Sequence, residues 1–452
     1  MKHTTITVLG AGYVGLSTSA LLASAGFKVY LIEPNKERLE VIKQGRSFFY
    51  EHGLDPVIKA AIDAGNLIAA DSYEDSVPNS SVIFSCVGTP DNPDGSSNLT
   101  YVFGAAEETA RNMQPGSIYV QKSTVPVGTG HKIEAMFSQA GKEFNYVSNP
   151  EFLRESTALY DTLYFDRVVV GGDNQQAAKE VLDIYRQLET NRDKIADLAG
   201  IEKTARKGQY IATNLNSAEL IKVTANAFLA LKISFANSIA KLADKVDADV
   251  NEVMAAVGAD ERIGEKFLNA GRGYGGGCFP KDVSGLIASG LGHDVELTIM
   301  QAARAVNDSM PDYIVSKLKT ALNDDLSAKK IAVLGLAFKA GTTDVRRSPG
   351  VALANILQKS GAIVTTYDPQ ASEEAARDLR RNINIKQSDS IEASISGADA
   401  VIVATEWPEL TSFPPKKYGE LMAGDVFVDA INQFDPLVVK SAGLIYIGVG
   451  RR

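Results

Sequence analysis

The chain has 452 residues, too many for one ordinary hydrophobic core, so its length favours two to four domains. With 45% hydrophobic and 22% charged residues the composition is globular, and the net charge of −9 argues against a general nucleic-acid or membrane-surface binder. Two cysteines exclude a disulfide framework and fit a reducing compartment, so we expect a cytoplasmic protein.

The sequence has no run of about 18 apolar residues, and we therefore expect no transmembrane helix. The opening residues, MKHTTITVLGAGYVG, lead directly into a strand and a turn, without the apolar core of a signal peptide. Small molecules are the expected partners, with neither a membrane nor a nucleic acid among them.

A glycine-rich turn follows the first predicted strand, residues 5–9. The letters GAGYVG place Gly10, Gly12 and Gly15 in the spacing G-x-G-x-x-G at the start of a predicted helix. A second strand, FKVYLIE, ends in Glu33, which lies 21 residues after Gly12. A strand, this turn, a helix and an acid at this distance predict a dinucleotide site.

Each residue of this turn has an expected role. Gly10 permits the tight turn, Gly12 lets a pyrophosphate approach the backbone, and Gly15 lets the helix pack closely on the strand. The helix N-terminus attracts the phosphate. Glu33 would bind the ribose hydroxyls and repel a 2′-phosphate, so we predict NAD rather than NADP. Arg38 either contacts the adenosine end or pairs with an acid on the surface.

Further strands are predicted at 81–88, 117–128 and 144–152, and polar residues cluster where each one ends. In a doubly wound sheet, ligands bind outside the carboxyl ends of the strands, which places Thr124 and Glu151 for chemistry. Cys86, within an apolar strand, is expected to pack in the core.

One long helix is predicted over residues 216–247, which contain neither proline nor glycine. Asn216 and Glu219 resemble a capping pair at its start. Lys222 and Asn226 are four residues apart and share a face. From spacing alone, Lys222 is either a surface lysine or a buried functional amine. The length suits a link between domains or a contact between subunits.

The segment GRGYGGGCFPKD, residues 271–282, sets Cys278 among five glycines. Pro280 suits the first turn of a helix, so the thiol lies at a helix N-terminus, where the dipole lowers its pKa. Lys281 adds positive charge, and Asp282 lies on the same side of that turn. A thiolate, a nearby carboxylate and flexible glycines, whose backbone another group can approach closely, predict a nucleophile.

The last third begins like the first, with a strand and a glycine in residues 329–350, and 361–369 parallels 26–34. The G-x-G-x-x-G pattern is missing there, so we expect no second NAD. Lys339 and two following arginines make the turn basic, which suits a nucleotide phosphate.

The elements together predict an α/β protein in which two Rossmann-like doubly wound domains are joined by a central helical domain with one long helix. The expected domains are an NAD-binding domain at 1–210, a central domain with the cysteine and the subunit contact at 211–320, and a second nucleotide-binding domain at 321–452.

Six segments in this order resemble the UDP-glucose/GDP-mannose dehydrogenase family and run through nearly the whole chain. They are GAGYVG, KSTVPVGT, NPEFLRES, ELIKVTANAFLALKISFANSI, GYGGGCFPKD and GLAFKAGTTDVRRSP. The segments ALYDTLYFDRVVVG and DERIGEKFL are most similar to the UDP-glucose branch.

The resemblance implies a four-electron oxidation of a sugar C6 alcohol to a carboxylate, with two NAD and one water. Cys278 would form a thiohemiacetal with the intermediate aldehyde and then a thioester that water hydrolyses. The expected reaction converts UDP-glucose to UDP-glucuronate for polysaccharide synthesis, and GDP-mannose or a UDP-N-acetylhexosamine is the alternative substrate. We expect no metal, and a homodimer through the long helix or a higher homo-oligomer.

The resemblance also implies residue roles. Lys222 would stabilise the negatively charged oxygen that forms at the sugar C6 during the steps, and Asn226 would orient the same oxygen. Asp282 would hold a water or relay protons, and Thr124 and Glu151 would position the water. The implied cofactor contacts are Gly10, Gly12, Tyr13, Val14, Gly15, Glu33, Arg38, Thr89, Thr124, Glu155, Lys281 and Arg346. The implied substrate contacts are Glu151, Phe152, Leu153, Arg154, Lys222, Asn226, Arg262, Phe267, Leu268, Asn269, Gly271, Gly275, Phe338 and Lys339.

Two features depart from the family pattern. Some relatives carry lysine where this chain has Asn269. Residues 190–212 are longer and more charged than expected, and we interpret them as a surface excursion.

Two other functions compete with this one. A two-electron hydroxyacid dehydrogenase also has a Lys-x-x-x-Asn helix after a Rossmann domain but lacks the cysteine and the second nucleotide unit. A non-catalytic NAD-binding scaffold would not need Cys278, Lys222, Asn226 and Asp282 together.

Overall fold

The structure is a computed structural model that describes residues 4–141, 143–379 and 384–452. The chain folds as two compact units, Met1–Ala225 and Asn226–Arg452. The long helix contains the boundary between them. The division into domains at 210 and 320 remains a prediction.

The first unit is built on a twisted sheet whose described strands have the order β3-β2-β1-β4-β5-β6-β7-β8. Neighbouring strands are parallel except β6 and β7. The first six strands follow the Rossmann order. The strands are β1 Thr5–Leu9, β2 Lys28–Ile32, β3 Leu67–Ala70, β4 Val82–Ser85, β5 Ile118–Gln121, β6 Asn145–Ser148, β7 Arg167–Gly171 and β8 Gln209–Thr213.

Helices cover both faces of this sheet, and the buried strand residues are mostly Val, Ile and Leu, as expected of a parallel sheet. The helices are α1 Tyr13–Ser24, α2 Lys36–Lys43, α3 Leu54–Asp63, α4 Tyr73–Ser76, α5 Thr100–Asn112, α6 Thr129–Gln139, α7 Ala158–Leu163 and α8 Gln175–Ala199, with a 3₁₀ turn at Val77–Asn79.

The surface-excursion interpretation of residues 190–212 is wrong. The segment contains the second half of α8, whose Ile195, Ala196 and Ala199 are buried in the core. It then forms β8, which pairs in parallel with β7 from Arg167↔Gln209 onward. Charged residues occupy the outer face of an amphipathic helix, which explains why this segment is so polar.

The long helix is α9, Leu215–Val246. The proposed capping pair at its start is wrong, because Asn214 Oδ1 accepts the hydrogen bond from Ser217 N (2.8 Å) and so caps the helix. Glu219 instead accepts hydrogen bonds from the amides of Gly128 and Gly130. A cap side chain bonds locally, whereas this carboxylate bonds to a segment distant in sequence.

Of the described helices, α9 alone is long and apolar enough to cross a membrane, by length and composition only, and 44% of its most apolar stretch is buried in the protein. A long core helix has the same properties. Its buried polar residues Glu219, Lys222 and Asn237 bond to other protein groups, as the core-helix interpretation requires.

The second unit repeats the Rossmann order: its described strands run β11-β10-β9-β12-β13-β14, all in parallel. This confirms the predicted fold class. The strands are β9 Lys330–Leu334, β10 Ile363–Tyr367, β11 Ile385–Gln387, β12 Ala400–Val403, β13 Val426–Asp429 and β14 Ile445–Gly448. The helices are α10 Val250–Gly258, α11 Phe279–Leu291, α12 Thr298–Asp308, α13 Met310–Ala321, α14 Pro349–Lys359, α15 Ser372–Leu379, α16 Ile391–Ile395, α17 Pro408–Thr411, α18 Pro415–Leu421 and α19 Pro436–Ser441.

Candidate active site

The glycine turn after β1 has the geometry of a dinucleotide-binding turn. Gly10 has a φ of +88°, and a Cβ on Gly15 would lie 1.8 Å from the carbonyl oxygen of Gly10. These two glycines therefore let α1 pack against the turn. Gly12 is the N-cap of α1 and has no side-chain cap, and a Cβ added there would meet nothing within 4 Å. The first amides of α1 are therefore open to an anionic group such as a pyrophosphate.

Glu33 follows β2 beside this turn and is 5% exposed. Its carboxylate accepts hydrogen bonds from Ala11 N (3.3 Å) and Asn35 N (2.9 Å). This is the position from which an acid contacts a ribose in such folds. The Arg38 guanidinium lies 4.7 Å from the ring centre of Phe48, a contact that neither sequence alternative included.

Tyr13 and the residues around it form one wall beside the glycine turn. The Tyr13 hydroxyl donates a hydrogen bond to the Tyr50 carbonyl (2.7 Å), and its ring stacks on Phe49 with 4.0 Å between the ring centres. These contacts fix the first residue of α1. Of the other predicted cofactor contacts in the first unit, Thr89 and Glu155 are half-buried in the loops after β4 and β6.

Lys222 and Glu151 form a buried ion pair, with 3.0 Å between Nζ and Oε1 and side-chain exposures of 4% and 9%. The surface-lysine alternative is therefore excluded. Burial raises the pKa of Glu151, but the charge of Lys222 and hydrogen bonds from Lys222 and Leu153 N outweigh it and hold the pKa below its usual value. Glu151 is thus a carboxylate at neutral pH.

Two predicted substrate contacts lie beside this pair. The ring of Phe152 is close to two cations, since Lys222 Nζ is 5.4 Å and the Arg167 guanidinium 3.9 Å from its centre. Arg154 is exposed and forms an ion pair of 2.6 Å with Asp161. Thr124 is half-buried in the loop between β5 and α6.

In the second unit, Cys278 is the N-cap of α11 and is exposed, with Pro280 in the first turn of the helix as the sequence predicts. Asp282 N donates to the Cys278 carbonyl (2.8 Å), which closes the first turn. The Asp282 carboxylate, 3% exposed, accepts a hydrogen bond from Asn226 Nδ2 (2.6 Å) and lies 2.8 Å from Lys281 Nζ. Three predicted catalytic residues therefore meet at the start of one helix.

The glycines around Cys278 are required by close packing of the protein itself. A Cβ on Gly276 would lie 2.8 Å from the ring of Phe338, and one on Gly277 would lie 2.5 Å from the guanidinium of Arg346. A Cβ on Gly275 would lie 2.4 Å from the carbonyl oxygen of Arg347, and one on Gly271 would lie 2.7 Å from the carbonyl oxygen of Ala430. A side chain at any of these four positions would therefore meet protein atoms, and the approach of substrate and cofactor to the sulfur remains a prediction.

The turn after β9 is a rebuilt copy of the first. Gly335 has a φ of +98°, and a Cβ on Gly350 would lie 2.2 Å from the Gly335 carbonyl oxygen, the same contact that Gly15 makes with Gly10. Fourteen residues, 336–349, separate these two glycines, whereas four separate Gly10 from Gly15, which is why the sequence pattern is lost.

Asp368 directly follows β10 as Glu33 directly follows β2, but the carboxylate of Asp368 is occupied by the protein. It accepts hydrogen bonds from four backbone amides and from Trp407 Nε1 (3.1 Å). The amides belong to Leu336, Ala337, Gln370 and Ala371. The Asp368 carboxylate therefore binds the turn, whereas an acid at this position in a dinucleotide site would bind a ribose.

The remaining predicted substrate residues of the second unit fall into two groups. Phe338, Lys339 and Phe267 are half-buried, and Lys339 Nζ lies 5.7 Å from the Phe338 ring centre. Leu268 is buried and Asn269 exposed. Arg262 is 88% exposed and pairs with Asp260 (2.5 Å), and Arg346 pairs with Asp344 (2.6 Å).

Comparison with known proteins shows which family the chain belongs to. Profiles of the UDP-glucose/GDP-mannose dehydrogenase family match residues 4–189 as its NAD binding domain, 216–309 as its central domain and 332–436 as its UDP binding domain. The chain is 38% identical to a UDP-glucose 6-dehydrogenase of Rhizobium meliloti over 99% of both chains. It belongs to the UDP-glucose/GDP-mannose dehydrogenase family. It is therefore an NAD-dependent dehydrogenase.

Other relatives agree. UDP-glucose 6-dehydrogenase YwqF of Bacillus subtilis is 36% identical over 99% of this chain and 98% of its own. The structure of a UDP-glucose dehydrogenase from Pyrobaculum islandicum matches with a TM-score of 0.88 at 36% identity, over 99% and 98% of the two chains. The structure of a UDP-D-ManNAc dehydrogenase from Pyrococcus horikoshii matches with a TM-score of 0.86 at 29% identity, over 99% of both.

Sequence reasoning missed two buried cations of this dehydrogenase. Lys122, 5% exposed, donates to Tyr185 Oη (2.8 Å), which in turn donates to Asn149 Oδ1 (2.6 Å). Burial lowers the pKa of Lys122, but Tyr185 and the nearby Glu151 and Cys86 outweigh it and raise the pKa above its usual value. The signal in the sequence was a lysine directly after an apolar strand.

The second is Arg272, whose guanidinium is buried within the second unit. It donates to Thr405 Oγ1 (2.9 Å), to the Phe338 carbonyl (2.8 Å) and to Glu406 (2.8 Å). These bonds tie the cysteine-bearing segment to the turn after β9, through Phe338, and to the residues after β12, through Thr405 and Glu406. A basic residue inside a glycine-rich segment was the available signal.

Proposed function

We propose that this dehydrogenase oxidises the C6 alcohol of UDP-glucose to the carboxylate of UDP-glucuronate, consuming two NAD and one water per sugar. Bound NAD accepts one hydride in each of two oxidation steps. The observation that carries the proposal is the exposed Cys278 thiol at the N-terminus of α11, beside the Asn226–Asp282 pair. An alcohol-to-aldehyde oxidation needs no thiol, whereas oxidation to an acid does benefit from one.

Cys278 is the nucleophile. After the first oxidation removes a hydride and a proton from the alcohol, the sulfur adds to the aldehyde carbon and the oxygen gains the thiol proton, giving a thiohemiacetal. Loss of a second hydride and a proton gives a thioester. Water then adds to the thioester carbon, the C–S bond breaks, and the carboxylate and the free thiol result. The helix N-terminus favours the thiolate as both attacking and leaving group.

The other residues act on oxygen and on protons. The ammonium of Lys222 stabilises the oxyanion that develops in each step, and Asn226 donates to the same oxygen. Glu151, kept ionised by Lys222, accepts the proton of a water that Thr124 positions. Asp282 relays protons close to the sulfur.

The glycine turn, α1 N-terminus and Glu33 suit NAD, since a carboxylate at the ribose repels a 2′-phosphate. The UDP binding description of residues 332–436 supports a UDP-sugar bound by the second unit, with Phe338 and Lys339 as contacts. Relatives named UDP-glucose 6-dehydrogenase favour glucose as the sugar. The likeness to a UDP-D-ManNAc dehydrogenase favours UDP-N-acetylhexosamines as the second candidate substrates, with the same chemistry.

The substrate is tested by incubating the protein with NAD and, separately, UDP-glucose, GDP-mannose, UDP-N-acetylglucosamine and UDP-N-acetylmannosamine. Product masses are then measured. We expect UDP-glucuronate from UDP-glucose with a kcat/KM at least about tenfold above the others, since one pocket contact discriminates by 1–3 kcal/mol. Faster oxidation of another sugar would reassign the substrate, and no oxidation of any would overturn the function.

We also propose a homodimer through α9. Phe228, Phe235 and Leu242 recur every seven residues on one side of this helix and are 59%, 47% and 57% exposed. Such a stripe suits the same stripe of a second copy. In light scattering, Phe235→Asp should be monomeric, while Leu437→Asp, an equally polar change at a 75% exposed residue of α19, should stay dimeric. A monomeric parent protein would overturn this proposal.

A further inference from the structure

Glu219 is a buried carboxylate that caps a helix other than its own. It lies in the second turn of α9 and is 2% exposed. Its Oε2 accepts from Gly128 N (2.7 Å) and its Oε1 from Gly130 N (2.8 Å), the amides at the start of α6. Gly128 is the N-cap of α6 and has no side chain to cap it. Glu219 therefore satisfies amides that α6 cannot satisfy itself.

These bonds connect two segments that carry proposed catalytic residues. Thr124 lies four residues before Gly128 in the loop that leads into α6, and Lys222 lies three residues after Glu219 on α9. Close packing reinforces the connection, because a Cβ on Gly130 would lie 2.7 Å from both Leu215 and Tyr146. The loop end therefore has little freedom to move relative to the first turns of α9.

We propose that Glu219 is a positioning residue that holds the Thr124 loop in register with Lys222 during the oxidation. The inference rests on the proposed roles of Thr124 and Lys222. Glu219 itself touches neither substrate nor cofactor in this assignment. It acts through the two amide hydrogen bonds, which need both of its oxygens as acceptors.

The charge of Glu219 sets the pH range of this tether. Burial raises its pKa to about 7, although the Gly130 and Gly128 amides lower it. Of the groups facing it, His131 lowers this pKa, Glu134 raises it, and the buried Tyr146 phenol is also close. A protonated carboxyl turns one acceptor into a donor facing an N–H. Both oxygens of Glu219 therefore accept hydrogen bonds above about pH 7, and one acceptor is lost as the pH falls through that value.

The test compares the purified, full-length parent protein with Glu219→Gln. Glutamine has nearly the same size as glutamate but keeps only one of the two oxygens that accept hydrogen bonds. We expect kcat to fall by about tenfold to a hundredfold with a smaller change in KM for NAD, since misplacing a catalytic group costs that much. In a plot of kcat against pH, the parent should lose activity as the pH falls through about 7, and we expect this decrease, the acid limb, to be absent in Glu219→Gln. An unchanged kcat with an unchanged limb would overturn the proposal.

Glu134→Gln is the matched variant, and it is compared with its parent in the His131→Gln background, because Glu134 pairs with His131 (3.1 Å) and His131 also acts on the pKa of Glu219. By removing a negative charge that raises the pKa of Glu219, it should move the acid limb to lower pH and leave the plateau unchanged. This variant decides the matter if Glu219→Gln does not fold. An acid limb that stays in place would contradict the assignment to Glu219.

A readout without turnover separates this inference from the proposed function. In hydrogen exchange measured by mass spectrometry at pH 8, amides of residues 122–135 should exchange about tenfold faster in Glu219→Gln, because a lost hydrogen bond opens the segment. Residues 325–335 of the second unit should exchange as in the parent. If the parent forms no NADH but this difference is found, the proposed function fails and the tether stands. Equal exchange in the two proteins would refute the tether.

Discussion

Lys222 Nζ lies 3.0 Å from Glu151 Oε1, and both side chains are almost entirely buried. Their link joins α9 to the loop after β6. Two opposite charges away from water depend on each other, because removing either one leaves an unpaired buried charge that costs about 3–5 kcal/mol. The pair is therefore both a structural link and a source of two ionised groups for chemistry.

Lys222→Met should lower the free energy of unfolding by about 3–5 kcal/mol, because Glu151 loses its partner. Adding Glu151→Gln to that variant should restore part of the loss. Urea unfolding of the two single variants and the double variant measures the coupling directly. Strictly additive losses would show that the two side chains do not interact.

The stability difference between the parent and Lys222→Met should shrink in acid. The folded-state pKa of Glu151 lies below its usual 4.5 in the parent, whereas burial without Lys222 raises it in the variant. The difference in stability is therefore complete above the raised pKa of the variant and is lost as the pH falls from there through the lowered pKa of the parent. Urea unfolding of both proteins from pH 7 down to 3 checks this. A constant difference would mean that Glu151 does not titrate as the geometry requires.

The two cysteines should differ sharply in reactivity. Burial raises the pKa of Cys86 to about 12, whereas Cys278 is exposed at a helix N-terminus. At pH 7.5 iodoacetamide should modify Cys278 at least about a hundredfold faster, because the thiolate is the reactive form. Activity should be lost at the rate of this modification. Cys86→Ala should label like the parent and Cys278→Ser should not, and comparable labelling of both thiols would contradict the assignment.

Glu33→Ser should weaken the preference for NAD over NADP. A hydrogen bond to a charged group contributes about 1.5–3 kcal/mol, so kcat/KM for NAD should fall by roughly ten- to a hundredfold. That for NADP should rise, because the repulsion of the 2′-phosphate disappears. Glu37→Ser, an exposed acid in the first turn of α2, is the matched control and should leave both values unchanged. An unaltered ratio in Glu33→Ser would place the ribose elsewhere.

Local patterns in the sequence predicted the parts of the site that depend on local geometry. The strand, turn and helix around Gly10 and the placement of Cys278 at the N-terminus of α11 are set by residues within a few positions of one another. The second Rossmann-like unit was also predictable, because its apolar strands and the acid directly after β10, Asp368, repeat the first unit even though the glycine pattern does not.

Long-range contacts could not be predicted in the same way. Glu219 has the spacing of a local cap, yet it bonds to Gly128, 91 residues away. Residues 190–212 have a polar composition that does not distinguish the outer face of α8 from a surface loop. Arg272 became visible as a buried link only through its bonds to Thr405 and Glu406, more than 130 positions later. Such contacts depend on tertiary packing, which spacing along the chain does not encode.

The central claim is that one active site oxidises the sugar by four electrons through Cys278. The most direct measurement mixes the dehydrogenase and excess NAD with a limiting, known amount of UDP-glucose and counts the NADH formed per sugar at completion. We predict two NADH per sugar, with UDP-glucuronate as the product. One NADH per sugar, with an aldehyde that can be trapped in solution, would contradict the account and leave the thiol without a catalytic role.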